Sequence, residues 1–363
     1  MKRFIYTLIL GICTVLVSSC SGTSDDVMDG KIHLKADKTS IMADGADCVT
    51  FTVKRDGEDL SNAETMQLEV TAEDGSVSTL TEGANTFSST KAGKYSIRAK
   101  YYEGGYTYSE ETIEVTVNSI GDSKYKHVLL GMEFTSEGCT ACPNFARTLE
   151  QIKKENSDKM VVVAFHMNFL GVNDFLHLDE TTAYLQSLGA RSALPQFYFN
   201  IRKTDESLIT RDKLLKAMSE ELTIPNTCGV AIDTKYDVVS RKLNITAKIT
   251  SDVDKEYRYV VYLVEDKIPQ RLQGVEGFIH QNAVRKVLTS TIGDRFPSEY
   301  RPVPANQEVA VALPEVEIPE DWNTENMRVV VSMVSSLDGG KSYTSNNTAQ
   351  CKLGESVDYQ LNE

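Results

Sequence analysis

The stretch MEFTSEGCTACPNFAR (132–147) places two cysteines, Cys139 and Cys142, two residues apart directly after an apolar run. Redox-active dithiols, zinc sites and structural disulfides all use this Cys-x-x-Cys spacing, so the spacing alone does not choose among them. The flanking residues say where the pair lies. HVLLGMEF (127–134) has the composition of a buried strand, and CPNFARTLEQIKKE (142–155) repeats apolar residues at helical intervals. Cys139 is therefore expected between a strand and a helix.

The region that follows alternates apolar strands with helical patterns. Two further buried strands are predicted at 160–169 and 192–201, and two further helices at 179–189 and 210–222. This alternation predicts a central α/β domain over residues 119–225, with a mostly parallel sheet. Its functional site is expected at the carboxyl ends of the strands, where Cys139 falls.

Short alternating strands flank this region on both sides. Residues 31–118 show such runs about ten residues apart, which indicates an antiparallel β-sandwich; AGKYSIRAKY (92–101), with Tyr95 at a tyrosine corner, resembles bacterial immunoglobulin-like domains. Residues 226–355 predict a second β-sandwich, followed by a tail at 356–363. Cys228 and Cys351 lie near the two ends of that sandwich, and a structural disulfide between them is expected. The predicted fold class is multidomain α+β.

The amino terminus carries an export signal. MKRFIYTLILGICTVLVSSC (1–20) has two basic residues, an apolar run and small residues before Cys20, and the run is shorter than the ~20 residues of a spanning helix. Val-Ser-Ser-Cys resembles a bacterial lipobox, which implies removal of residues 1–19 and acylation of Cys20 as a lipid anchor. Residues 20–30 then form an acidic tether. An ordinary signal peptide with an incidental cysteine is the alternative.

Charge and compartment limit the partners. The 363-residue chain has a formal net charge of −14 and no basic cluster, which excludes nucleic acid as an expected partner. An exported chain can keep disulfides. The expected partners are the membrane, through acylated Cys20, and proteins carrying thiols or disulfides.

The Cys pair has the elements of a thiol exchange centre. Cys139 precedes a helix, whose unsatisfied amides favour a thiolate, and Cys142 is placed one turn later to resolve a mixed disulfide. Glu133 falls within the buried strand, where burial should raise its pKa and allow it to relay a proton. The alternative is that Glu133 points to solvent or forms a structural ion pair.

Two segments resemble the thioredoxin superfamily. LLGMEFTSEGCTACP (129–143) is similar to its active-site stretch, and GARSALPQFYFN (189–200) is similar to its later segment with a cis-proline. The resemblance implies a thioredoxin-like central domain in which Leu194-Pro195 is a cis bond beside the Cys pair and Pro195 shapes a substrate groove. Gly138 stands where that superfamily usually has tryptophan.

The whole layout resembles a family of envelope proteins. GCTACP, AFHMNF, LPQFYFN and HQNAVRKVL, together with the lipobox, are similar to the Bacteroidota family typified by the twenty-eight-kilodalton outer-membrane protein. This resemblance covers residues 127–355. It implies an outer-membrane lipoprotein of the cell envelope, facing the periplasm or the surface.

Histidines near the Cys pair raise the question of a metal. His166 ends a predicted strand, and Asp174, His177 and Asp179 follow it, but the two histidines lack a recognisable ligand spacing. No metal or cofactor is therefore expected, and His280 is interpreted as a structural histidine. Two functions stay open: a lipid-anchored thiol-disulfide oxidoreductase, or a surface binding or adhesion lipoprotein whose Cys pair does not cycle.

Overall fold

The computed structural model describes residues 29–43, 47–119, 123–189, 193–204, 207–272, 275, 277–336 and 343–362. The signal peptide predicted at 1–19, Cys20 and most of the tether lie outside the described residues. Within the described ranges, no helix is long and apolar enough to cross a membrane.

Residues 33–118 form ten strands in two sheets that share one apolar core. The strands are β1 His33–Ala36, β2 Ser40–Met42, β3 Val49–Arg55, β4 Glu58–Asp59, β5 Met66–Ala72, β6 Val77–Thr79, β7 Thr86–Phe87, β8 Gly93–Tyr102, β9 Tyr106–Tyr108 and β10 Ile113–Asn118. One sheet has the order β1-β3-β4 with β7 beside β3, and the other β2-β10-β8-β5-β6 with β9 beside β8. Phe51 of the first sheet and Ile97 of the second meet in the core. Tyr95 donates its hydroxyl to Lys91 O at 2.8 Å, which is a tyrosine corner.

The middle of the chain contains its three α-helices among the described residues. Its elements are β11 Leu129–Thr135, α1 Cys142–Glu155, β12 Met160–His166, α2 Glu180–Ser187, β13 Gln196–Phe199 and α3 Arg211–Glu221. β11 pairs with β12 in parallel and with β13 antiparallel. Pro143 is accommodated because the first turn of α1 needs no amide donor there.

The carboxyl-terminal part is made of strands and two short 3₁₀ turns, Ser298–Tyr300 and Thr324–Asn326. The strands are β14 Cys228–Asp237, β15 Lys242–Ser251, β16 Tyr257–Glu265, β17 Ile268–Pro269, β18 Ile279–His280, β19 Ala283–Val287, β20 Asp294–Arg295, β21 Glu308–Ala312, β22 Val316–Glu317, β23 Met327–Ser335, β24 Thr344–Lys352 and β25 Ser356–Val357. β14 and β15 are the centre of a five-stranded sheet with β21, β22 and β25.

The predicted central thioredoxin-like α/β domain, and with it the predicted fold class, is wrong. β11, β12 and β13 are part of an eight-stranded mixed sheet with the order β13-β11-β12-β19-β16-β23-β24 and β20 beside β16. The connection is made where Ala164 of β12 pairs in parallel with Ala283 of β19. Strands predicted to belong to two domains therefore form one sheet, and the described chain is predominantly β.

The two faces of this sheet explain how helices and strands share it. On one face, Phe134, Phe165 and Tyr262 from three strands pack together with Tyr184 of α2. The opposite face is covered by α1 and α3 at β11–β13, and by the five-stranded sheet at β16 and β23. All seven residues of β11 and of β12 are buried, which explains why both strands are mainly apolar in sequence.

The disulfide expected between Cys228 and Cys351 is also absent, and both residues are free buried thiols. Cys228 Sγ donates a hydrogen bond to Asn346 Oδ1 at 3.1 Å, near the beginning of β24. Cys351 lies five residues further along the same strand, a distance of about 16 Å in extended chain. A disulfide needs Cα atoms within about 7 Å, so the two cysteines lie too far apart.

Candidate functional site

Cys139 and Cys142 form a disulfide at the start of α1. The S–S distance is 2.07 Å, and the Cys142 amide donates to Cys139 Sγ at 3.1 Å. The Cys139 amide donates in turn to Ser136 O at 3.1 Å, in the turn after β11. The pair therefore lies between a strand and a helix, as the sequence predicts, with the Cys139 sulfur at the amide end of the helix.

A turn formed by residues 169–172 packs against Gly138, the residue before Cys139. Cys139 is only 3% exposed and Cys142 1% exposed. Phe169 and Val172 exchange backbone hydrogen bonds of 3.2 and 3.0 Å, which close the turn. A Cβ on Gly138 would lie 2.4 Å from Phe169 O, so a side chain at this position would collide with the turn. Gly138 is thus required by the turn that covers the site, hereafter the covering turn.

Glu133 is buried on the helix side of β11. Its side chain lies on the same sheet face as Leu129, which packs with Phe145 of α1. The residue is 3% exposed, and Glu133 Oε1 has no hydrogen-bond partner among the described residues. Burial, and then repulsion from Glu150, raise the pKa of Glu133 to about 8. The predicted burial and raised pKa are confirmed, and Glu133 holds its proton at neutral pH.

Pro195 lies at the same end of the sheet as the Cys pair. The Leu194-Pro195 bond is cis, as predicted, and Pro195 is buried. Gln196 pairs with Phe134, so the chain at Pro195 reaches the end of β11 that leads to Cys139. The four predicted site residues are therefore gathered around the end of one strand.

A second buried acid, Glu137, was not identified from the sequence. It is 2% exposed, and its Oε1 accepts hydrogen bonds from the Arg271 amide at 2.5 Å and from His280 Nε2 at 3.2 Å. Its own amide donates to Asp174 Oδ2 at 2.8 Å. Glu137 thus joins the loop before Cys139 to the β17–β18 hairpin of the carboxyl-terminal part. No spacing signal marks it, because its partners are far away in the sequence.

The histidines belong to this buried network. His166 Nδ1 lies 2.8 Å from Asp174 Oδ2, and the His166 and His280 rings meet edge to face at 4.8 Å. Burial, and then the nearby His166, lower the pKa of His280 to about 4. The expected structural role of His280 fits these contacts. Among the described residues, no group of three or more His, Cys, Asp or Glu side chains could hold a metal ion.

The fold and this site define a β-rich protein with a buried disulfide at a strand-to-helix junction. Residues 183–357 match the family model described as outer membrane protein Omp28. This match locates the chain in the cell envelope. No curated protein matches it.

The solved structures that this chain matches share little of its sequence. HBP35 of Porphyromonas gingivalis is 18% identical with a TM-score of 0.51, over 64% of this chain and 77% of that one. A protein from Agrobacterium tumefaciens is 19% identical with a TM-score of 0.42, over 67% and 100% of the two chains. A DUF3823 family protein from Bacteroides ovatus is 11% identical with a TM-score of 0.19, over 83% and 95%. At these identities the likeness to HBP35 concerns the fold alone.

Proposed function

We propose that this envelope protein exchanges disulfides with protein substrates through Cys139 and Cys142. The observation that carries the proposal is the position of the disulfide at the amide end of α1, with the Cys142 amide on Cys139 Sγ. The same hydrogen bond and the helix dipole would stabilise a Cys139 thiolate in the reduced form. A structural staple needs neither feature.

The exchange proceeds in two balanced steps. The Cys139 thiolate attacks a substrate disulfide, which forms a mixed disulfide and releases one substrate thiolate. Cys142 then loses its proton and attacks Cys139 Sγ, so that the Cys139–Cys142 disulfide forms and the second substrate thiolate leaves. Overall the substrate gains two electrons and two protons, and the dithiol loses them. The reverse sequence oxidises a substrate dithiol.

Glu133 and Pro195 take supporting roles in this proposal. Glu133 lies on the α1 side of β11, and with a pKa near 8 it can return a proton to Cys142 at neutral pH and accept the Cys142 proton as the pH approaches 8. Pro195, at the end of the neighbouring strand, shapes the groove in which a substrate chain lies. The covering turn must move for a substrate sulfur to reach Cys139, because that residue is only 3% exposed.

Trapping tests the proposal directly. Cys142→Ser leaves Cys139 without its resolving partner, so incubation with a small protein disulfide such as insulin should accumulate a mixed disulfide at Cys139. Cys139→Ser is the matched control and should trap little, because the amide hydrogen bond at the start of α1 falls on Cys139 Sγ. Equal trapping by both variants, or none by either, would contradict the proposed roles.

The burial of the pair favours a second candidate, a surface binding lipoprotein with a disulfide that does not cycle. The N-terminal sandwich exposes Tyr102, Tyr106 and Tyr108, which are 50%, 56% and 40% exposed. Such rings supply contact area in binding surfaces. Resistance of the disulfide to reduction in the folded protein would favour this candidate.

Either function is proposed together with a lipid anchor at Cys20. The anchor rests on the lipobox-like sequence Val-Ser-Ser-Cys after an apolar run. Metabolic labelling with a palmitate analogue should mark the wild type and leave Cys20→Ala unlabelled. Equal labelling of both would contradict acylation at Cys20.

A further inference from the structure

Glu133 opens into a cavity that the disulfide chemistry does not use. The cavity has a volume of about 300 Å³ and lies between α1 and the segment around β18. The residues that line it with Glu133 are Ala146, Arg147, Glu150, Gln151, Phe278, Ile279, Gln281 and Asn282. This volume is at the lower end of small-molecule sites in proteins.

The floor of the cavity carries an unsatisfied acid. Glu133 Oε1 is buried and accepts no hydrogen bond from any residue that the structure describes. A buried carboxyl group without a partner is costly, so natural proteins usually pair it with a donor or a charge. The flanking positions in the sheet, Ala164 and Phe197, are apolar and supply neither.

The cations near the cavity bond groups other than the Glu133 carboxyl group. Lys153 Nζ bonds Asn282 Oδ1 at 2.5 Å and lies 3.4 Å from Glu150 Oε1, and Arg328 also donates to Asn282 Oδ1, at 2.9 Å. Arg147 bonds Asn144 Oδ1 at 3.1 Å and its guanidinium lies 5.8 Å from the centre of the Phe278 ring. Among the described residues none of these cations donates a hydrogen bond to Glu133 Oε1, although the charge of Lys153 opposes part of the rise in the pKa of Glu133.

The second acid of the cavity is already oriented. Glu150 Oε1 accepts a hydrogen bond from Asn282 Nδ2 at 2.6 Å, and its charge is felt at Glu133. A cation placed between the two carboxyl groups would offset their repulsion and supply the hydrogen-bond donor that Glu133 Oε1 lacks. The Phe278 ring adds an aromatic wall, which also favours a cation.

We propose that this cavity binds a small organic cation, a primary ammonium group on a short alkyl chain, against Glu133 and Glu150. The site shares Glu133 with the thiol exchange proposed above but uses neither sulfur, so binding can be measured whether or not the disulfide cycles. A lysine side chain of a partner or a free amine has the required chemistry.

Calorimetry of the purified protein with n-butylammonium tests this site. The ammonium stays charged to pH 9, whereas Glu133 must lose its proton to pair with it. Because the pKa of Glu133 is about 8, the affinity should fall about 100-fold from pH 9 to pH 6. The neutral isostere 1-butanol and the anion propionate should bind at least tenfold more weakly at pH 9.

Variants show which residues are responsible for the binding of n-butylammonium. Glu133→Gln keeps the shape and should remove the pH dependence and most of the affinity, and Glu150→Gln, which is partly exposed, should weaken binding without unfolding risk. Glu155→Gln, in the last turn of α1 and outside the cavity, is the matched control and should bind as the wild type. Equal binding of n-butylammonium and 1-butanol, unchanged binding by Glu133→Gln, or no binding at pH 9 would each overturn the proposal.

Discussion

Glu137 and His280 lie 143 residues apart in the chain and meet in the interior, with His280 Nε2 3.2 Å from Glu137 Oε1. Their side chains are 0% and 4% exposed. This contact fixes the loop that leads to Cys139 to a hairpin from the carboxyl-terminal part. The surroundings of the disulfide are therefore set by the assembled sheet and not by the local sequence alone.

The neutral state of His280 predicts a loss of stability in acid. Its pKa is lowered to about 4 in the fold and is about 6.5 when unfolded, so the unfolded state takes up the proton first as the pH falls. The contribution of His280 to the free energy of unfolding should decrease from pH 6.5 to pH 4, by about 1–3 kcal/mol. Urea unfolding of His280→Gln should show a smaller decrease.

The His280→Gln variant should still lose some stability at low pH, because burial lowers the pKa of His127 to about 4. His127→Gln is therefore the matched comparison, and each substitution should remove part of the pH dependence. If neither substitution changes the slope between pH 6.5 and pH 4, the two histidines are not held neutral by the fold.

Glu133 should make the stability of the protein depend on pH in the opposite direction. Its pKa is about 8 in the fold and near 4.5 when unfolded, so the folded state holds a proton that the unfolded state has lost. The contribution of Glu133 to the free energy of unfolding should decrease from pH 4.5 to pH 8, by about 4 kcal/mol in total. Glu133→Gln should gain stability relative to the wild type across this range. Parallel stability curves for the two proteins would show that Glu133 is ionised in the fold.

A methyl group added at Gly138 should disturb the covering turn. In Gly138→Ala the new Cβ would lie 2.4 Å from Phe169 O, so the turn must shift, at a cost of about 1–3 kcal/mol. The shift should also speed reduction of the disulfide by dithiothreitol, because Cys139 becomes accessible. Gly105→Ala is the control, since its Cβ meets nothing within 4 Å. If the disulfide of Gly138→Ala is reduced at the wild-type rate, the covering turn does not limit access to Cys139.

The buried thiols predict a simple labelling pattern. Burial raises the pKa of Cys228 strongly and that of Cys351 to about 11, so neither is a thiolate at pH 8. Iodoacetamide should leave both unmodified in the folded protein and modify both in denaturant without a reductant. Modification of either only after reduction would mean that it forms a disulfide.

The sequence predicts the elements around the site better than their assembly. Local sequence patterns predict the strand at 127–134, the helix from Cys142 and the burial of Glu133, because each depends only on neighbouring residues. The junction of Ala164 with Ala283 does not, because β12 is an apolar run whether its neighbour is a helix, a loop or another strand. Glu137 and the covering turn were missed for the same reason, since their partners come from distant parts of the chain.

The proposed function requires the Cys139–Cys142 pair to cycle between disulfide and dithiol. A glutathione redox titration measures this, with alkylation of the two cysteines followed by mass spectrometry. We expect reversible reduction in the folded protein, at a potential above the roughly −300 mV typical of structural disulfides, and loss of the transition in Cys139→Ser. A pair that stays oxidised until the protein unfolds would contradict it and leave the disulfide as a structural bond.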